Sequence, residues 1–131
     1  MSAQSVLAAE TRLRRARRRY AKTLLGLVVD HVRHHHPQAV RLTVYADQRS
    51  HQCFIGELLD PDGQVIGLDP DSVVVPRERI EGPSGERIVV GPCGVADLLH
   101  RALAAYEGPL EKLLRRDRHT GEHYLDLTRA P

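Results

Sequence analysis

Aromatic side chains are scarce in these 131 residues: four Tyr, one Phe and no Trp. Base-stacking and sugar-stacking platforms usually draw on several such rings, so those functions start at a disadvantage. Cysteine is scarce too. Cys53 and Cys93 form neither a scaffold spacing nor a CxxC pair, and read as reduced thiols rather than a disulfide framework. There is no long apolar run. Leu24 to Val29 is the longest, contains Gly26, and is far too short to span a bilayer. No uninterrupted apolar stretch precedes the first arginines, so no signal peptide is expected. These absences lead to the expectation of a cytoplasmic protein that binds no membrane and needs no cofactor.

Acidic residues are thin at one end. Up to residue 45, nine Arg and Lys stand against Glu10 and Asp30, a balance of +7. Residues 46–97 reverse the sign to −6, although the whole chain carries only +2. A basic end and an acidic middle can attract an anionic partner, or each other, within one chain or between copies.

What the chain does have is one long helical pattern from Ser5 to His36. Val6, Ala9, Leu13, Ala16, Tyr20, Leu24, Leu27, His31 and His35 recur at alternating spacings of three and four. Ser2 or Ser5 can cap its start, and Pro37 pushes the preceding residue out of the helical region. Such a helix spans about 45 Å at 1.5 Å per residue, and needs a surface to lie on. Gly26 costs roughly 1 kcal/mol against alanine and marks a kink or a close crossing. The part after Gly26 is apolar around more of its girth and is expected to back the core. Residues 1–25 are expected to project as an oligomerisation or partner-binding helix.

Period-two alternation over 39–45 predicts a strand, with Val40, Leu42 and Val44 on one face. The turn at 47–50 leads to a second strand, Cys53 to Leu59, and Asp60-Pro61-Asp62-Gly63 to a third, Gln64 to Leu68. Val73–Val75, stopped by Pro76, reads as an edge strand, and Arg87–Val90 as another. A second helix is expected over Val95–Tyr106, a third from Pro109 through Arg116, and a last strand near 123–128. Helix, three to five strands, then helix predicts a single α+β domain over 1–131. Its two layers are a mostly antiparallel sheet, packed by the long N-terminal helix and by a helix near residues 95–106.

Four groups of residues invite a functional reading. Arg12, Arg14, Arg15, Arg18, Arg19 and Lys22 crowd the first helix, and guanidinium groups at that density suit phosphates. No helix-turn-helix spacing, zinc-finger pattern or aromatic-interleaved strand accompanies them. The commoner role is a solvated face that pairs with acidic surface. His31 and His35, with His34 beside them, share a helix face at metal-ligand spacing, yet histidine is also favoured at a helix C-terminus by the dipole. His119 and His123 form a weaker pair, because Gly121 between them argues for a turn. Cys93 opens a helix between glycines, where free amides can favour a thiolate, with His51 or His100 as candidate base; an inert buried thiol is the commoner outcome, and Cys53 is weaker still. Asp60, Asp62, Asp69 and Asp71 lack calcium-loop spacing and read as turn formers.

No catalytic set assembles by spacing. The expectation is a small non-enzymatic interaction protein, adaptor or regulatory, forming a homodimer or binding another protein. Its contacts are Val6, Leu13, Ala16 and Tyr20 together with an exposed sheet face. The alternatives are a nucleic-acid-associated protein using the arginines, and a small enzyme or metal protein using Cys93 or His31 and His35.

Overall fold

A computed structural model describes residues 2–47 and 52–129. Helix α1 (Ala3–His35) is one unbroken element that passes through Gly26. Ser2 caps it, its side chain accepting the Ser5 amide at 3.2 Å. At the far end the His36 amide donates to Val32 at 2.7 Å, and Arg33, His34 and His35 sit where the helix dipole favours cations. No described helix is long and apolar enough to cross a membrane.

Strands β1 (Arg41–Asp47), β2 (Gln52–Leu59) and β3 (Val65–Ile66) follow as a meander. Next come β4 (Val73–Val75), β5 (Glu78–Glu81), β6 (Arg87–Val90), β7 (Cys93–Gly94) and helix α2 (Val95–Ala105). After a single 3₁₀ turn at Leu110–Lys112 the chain closes with β8 (Arg115–Arg116) and β9 (His123–Asp126). Five strands form one sheet in the order β3-β2-β1-β9-β8, every pair antiparallel. The chain therefore has the expected α+β architecture, a long N-terminal helix and a second helix packed on an antiparallel sheet.

The core follows from periodicity. Ala21, Leu24, Leu25, Val28, Val29 and Val32 are the buried stripe of α1, and Val95, Leu98, Leu99 and Ala102 that of α2. Both meet Leu42, Val44, Leu58 and Leu125 from the sheet, and Leu127 just beyond it. Core contact on α1 thus begins at Ala21, one turn and a half before Gly26. The opposite sheet face is set by a bulge in β2, where Gly56 and Glu57 stand opposite Thr43 alone. A Cβ on Gly56 would meet Tyr45 Cε2 at 2.7 Å, so the Tyr45 ring lies where only glycine leaves room.

Some elements differ from the sequence pattern. The expected third helix is reduced to the 3₁₀ turn, and Arg115–Arg116 is extended. Leu110 and Leu114 bury against the core while Arg115 pairs with Tyr124, so strand pairing overrides a local helical pattern. Glu78–Glu81 is a strand that its charged residues conceal; it forms a separate hairpin with β6, whose exposed residues include Ile80, Val89 and Val90. Val73–Val75 pairs with Cys93–Gly94 in a second small ladder outside the main sheet. Part of the 47–50 turn and His51 lie outside the described residues.

Candidate interaction surfaces on the first helix and the open sheet face

From Ser2 to Tyr20 every residue of the α1 segment is exposed except Thr11 and Arg17, which are half-buried. The apolar stripe read from the sequence divides in two. Leu24 joins the core, whereas Val6, Leu13, Tyr20 and Leu27, seven residues apart, are 45%, 51%, 47% and 40% exposed. Ala9, Ala16 and Thr23 lie between them and are exposed as well. At 3.6 residues per turn these seven residues line one side of the helix, about a third of a turn from the core-facing side. Val6, Leu13, Ala16 and Tyr20 are thus brought onto a single uncovered face.

Arg12, Arg17 and Arg19 flank that face, and Arg14, Arg15, Arg18 and Lys22 lie on the far side of the helix. Arg14 reaches Glu10 at 3.7 Å, and Arg17 pairs with Glu107 from the loop after α2. Arg12, Arg15, Arg18, Arg19 and Lys22 make no ion pair with the described residues. Arg14, Arg15, Arg17 and Arg18 line an open groove of about 340 Å³ against Tyr106, Glu107 and Gly108. Arg17 had no place in the basic stripe read from the sequence, and only the fold reveals that it ties the helix to its own domain.

A second uncovered surface is the outer face of the sheet. Tyr45 stands directly opposite Phe54, and Thr43 opposite Tyr124. Phe54 is 63% exposed and Tyr45 45%. The Arg41 guanidinium carbon lies 4.0 Å from the Tyr124 ring centroid, a cation–π contact, while Arg41 Nη1 reaches Asp117 at 3.0 Å. Arg115 Nε lies 3.5 Å from Asp126. Two backbone amides, from His119 and Thr120, and then Arg41 hold the Asp117 carboxyl below its ordinary pKa. Three of the five aromatic residues therefore share one open face. The alternation of β1 pointed Tyr45 outward, but bringing Phe54 and Tyr124 beside it takes the strand order, which the sequence does not carry.

The other candidates are placed as follows. His31 Nε2 shares a hydrogen bond with Ser72 Oγ at 2.9 Å, and its ring lies 4.4 Å from that of His35. Burial, then the neighbouring His35, His34 and His36, hold the His31 imidazole below its ordinary pKa. Among the described residues no three His, Cys, Asp or Glu side chains gather in a group able to hold a metal ion. His123 Nε2 approaches Glu111 Oε1 at 3.4 Å, so its described partner is a carboxylate on the 3₁₀ turn. Cys93 is buried and accepts a hydrogen bond from Arg101 Nη1 at 3.5 Å. His100, the candidate base for Cys93, instead approaches Cys53, with Nδ1 3.9 Å from Sγ. Burial pushes the Cys53 thiol up, the reverse of nucleophile activation. Asp60 accepts the amides of Asp62 and Gln64, and Asp69 that of Asp71, all at 2.9 Å, so both carboxylates build turns.

Compared with protein-family models, curated proteins and solved structures, the chain matches none.

Proposed function

We propose that this chain is a small non-enzymatic interaction protein that self-associates through the first half of α1 and offers the outer sheet face as a second contact surface. The observation that carries this reading is the heptad-spaced stripe of Val6, Leu13, Tyr20 and Leu27, all large and all 40% or more exposed. Single exposed apolar residues are ordinary on a soluble protein; a heptad-spaced row of them along almost six turns is the pattern of a helix seam. Sedimentation equilibrium of the full chain tests it. A dimer or larger species is expected, and a monomer at the highest concentration reached would refute it.

A second reading rests on the cations that make no ion pair with the described residues, Arg12, Arg15, Arg18, Arg19 and Lys22, which suit a phosphate backbone. Duplex or heparin binding that weakens steeply with salt, and is lost on replacing Arg15, Arg18 and Arg19 by Ala, would support it. Absent or salt-insensitive binding would end it. The two readings respond to salt differently, because apolar self-association does not release counterions.

A further inference from the structure

We infer that the surface covering the α1 stripe is the same stripe of a second copy, and that the two helices run antiparallel. This inference rests on the self-association proposed above and specifies the partner and its direction. Large and small residues alternate along the seam: Val6, Leu13 and Tyr20 at one heptad position, Ala9, Ala16 and Thr23 at the other. All six are exposed.

A two-fold axis perpendicular to the helices, passing between residues 14 and 15, sets Leu13 on Ala16 of the second copy, Tyr20 on Ala9 and Val6 on Thr23. Two kinds of layer then set a large side chain on alanine and the third sets Val6 on the similarly sized Thr23, so the summed bulk per layer, and with it the interhelical distance, stays nearly even along the contact. Parallel pairing matches each residue with itself. Tyr20 would meet Tyr20 and Leu13 would meet Leu13, while Ala9 and Ala16 would leave gaps between them. One helix separation cannot serve both kinds of layer.

Charge at the flanks favours the same direction. Antiparallel pairing brings Glu10 of each copy beside Arg17 of the other, twice over by symmetry, in exchange for the Arg14 and Glu107 partners that these two side chains hold within their own chain. Parallel pairing brings Arg12 beside Arg17 instead. The antiparallel arrangement also leaves Arg12 beside Arg19 on its other flank, again twice. These two make no ion pair with the described residues, whereas Glu10 and Arg17 only exchange partners, so repulsion outweighs attraction and added salt is expected to tighten the dimer by screening. The pairing is isologous and closes at two copies, so no fibre follows from it.

Cross-linking of the full chain tests direction separately from association. Val6→Cys and Thr23→Cys are made in a Cys53→Ser background, where the remaining native thiol, Cys93, is buried. In the antiparallel dimer the two copies of residue 6 lie seventeen residues apart along the axis, about 25 Å. A disulfide needs Cα atoms within about 7 Å. The expected result is no cross-link from either variant alone under mild oxidation, and a mixed disulfide when the two are combined. Self-cross-linking of Val6→Cys would show a parallel pair and overturn this inference while leaving self-association intact. A dimer by sedimentation with no cross-link in any combination would move the interface elsewhere and overturn it too. A monomer by sedimentation would overturn both.

Discussion

Truncating Leu13 to alanine isolates the seam from the fold. Leu13 is 51% exposed in the single chain, so association would bury about half of its surface. Full burial of a leucine side chain contributes about 1.5–3 kcal/mol, and the remaining half therefore about 0.8–1.5 kcal/mol per copy. A two-fold dimer loses this twice, about 1.5–3 kcal/mol, which corresponds to roughly a tenfold to hundredfold weaker dissociation constant. The fold itself has no stake in the change. Alanine is a better helix former than leucine, and an exposed substitution usually shifts stability by under about 0.5 kcal/mol. Sedimentation equilibrium measures the dissociation constant, and far-UV circular dichroism of dilute protein confirms that the helix persists. A dissociation constant within about twofold of the parent would refute the assignment of Leu13 to the contact.

Other expectations concern the fold and its pH response. Leu25→Ala, at a site with no exposure, is expected to cost about 2–5 kcal/mol in urea unfolding, against almost nothing for Leu13→Ala at low concentration. Gly91 has φ of +74°, and an added Cβ would meet the Pro76 and Val75 carbonyl oxygens at 2.5 and 2.8 Å. Gly91→Ala is therefore expected to lose at least about 1–2 kcal/mol, read from the urea midpoint, and an unchanged midpoint would contradict the tight packing. His31 has its pKa lowered from 6.5 by burial and by its histidine neighbours, so the unfolded chain takes up that proton first as pH falls. Its contribution is complete above about pH 6.5 and declines on acidification below it. Urea midpoints measured from neutral pH to about pH 5 should fall less steeply in His31→Asn than in the parent, and equal slopes would count against this assignment.

Much of this architecture is legible in the residues themselves. The three-and-four spacing of α1 and α2, the alternation of β1 and the Asp-Pro-Asp-Gly turn are local signals, and each corresponds to an observed element. What escapes is whatever depends on distant partners. Arg115 and Arg116 are extended because Tyr124 and His123 lie beside them, and nothing within 109–116 announces that. Glu78–Glu81 has no apolar alternation to reveal it. The uncovered stripe was visible as a periodicity, but its separation from the core stripe was not, because Leu24 and Tyr20 look equally eligible until a sheet and a second helix choose between them. The reassignment of His100 from Cys93 to Cys53 is of the same kind: proximity across 47 residues is a property of the packing alone.

The β5–β6 hairpin carries a consequence for the order in which the molecule opens. All of β5 and most of β6 face water, with Ile88 half-buried and Val89 and Val90 exposed. A two-stranded hairpin without apolar backing is marginal by itself, so its backbone bonds report local rather than global opening. In hydrogen–deuterium exchange its amides should surrender protection first, while those of Leu25, Leu42 and Leu99 wait for the whole domain to unfold. A protease should likewise find its first cleavage at this hairpin and leave the five-stranded sheet and both helices joined.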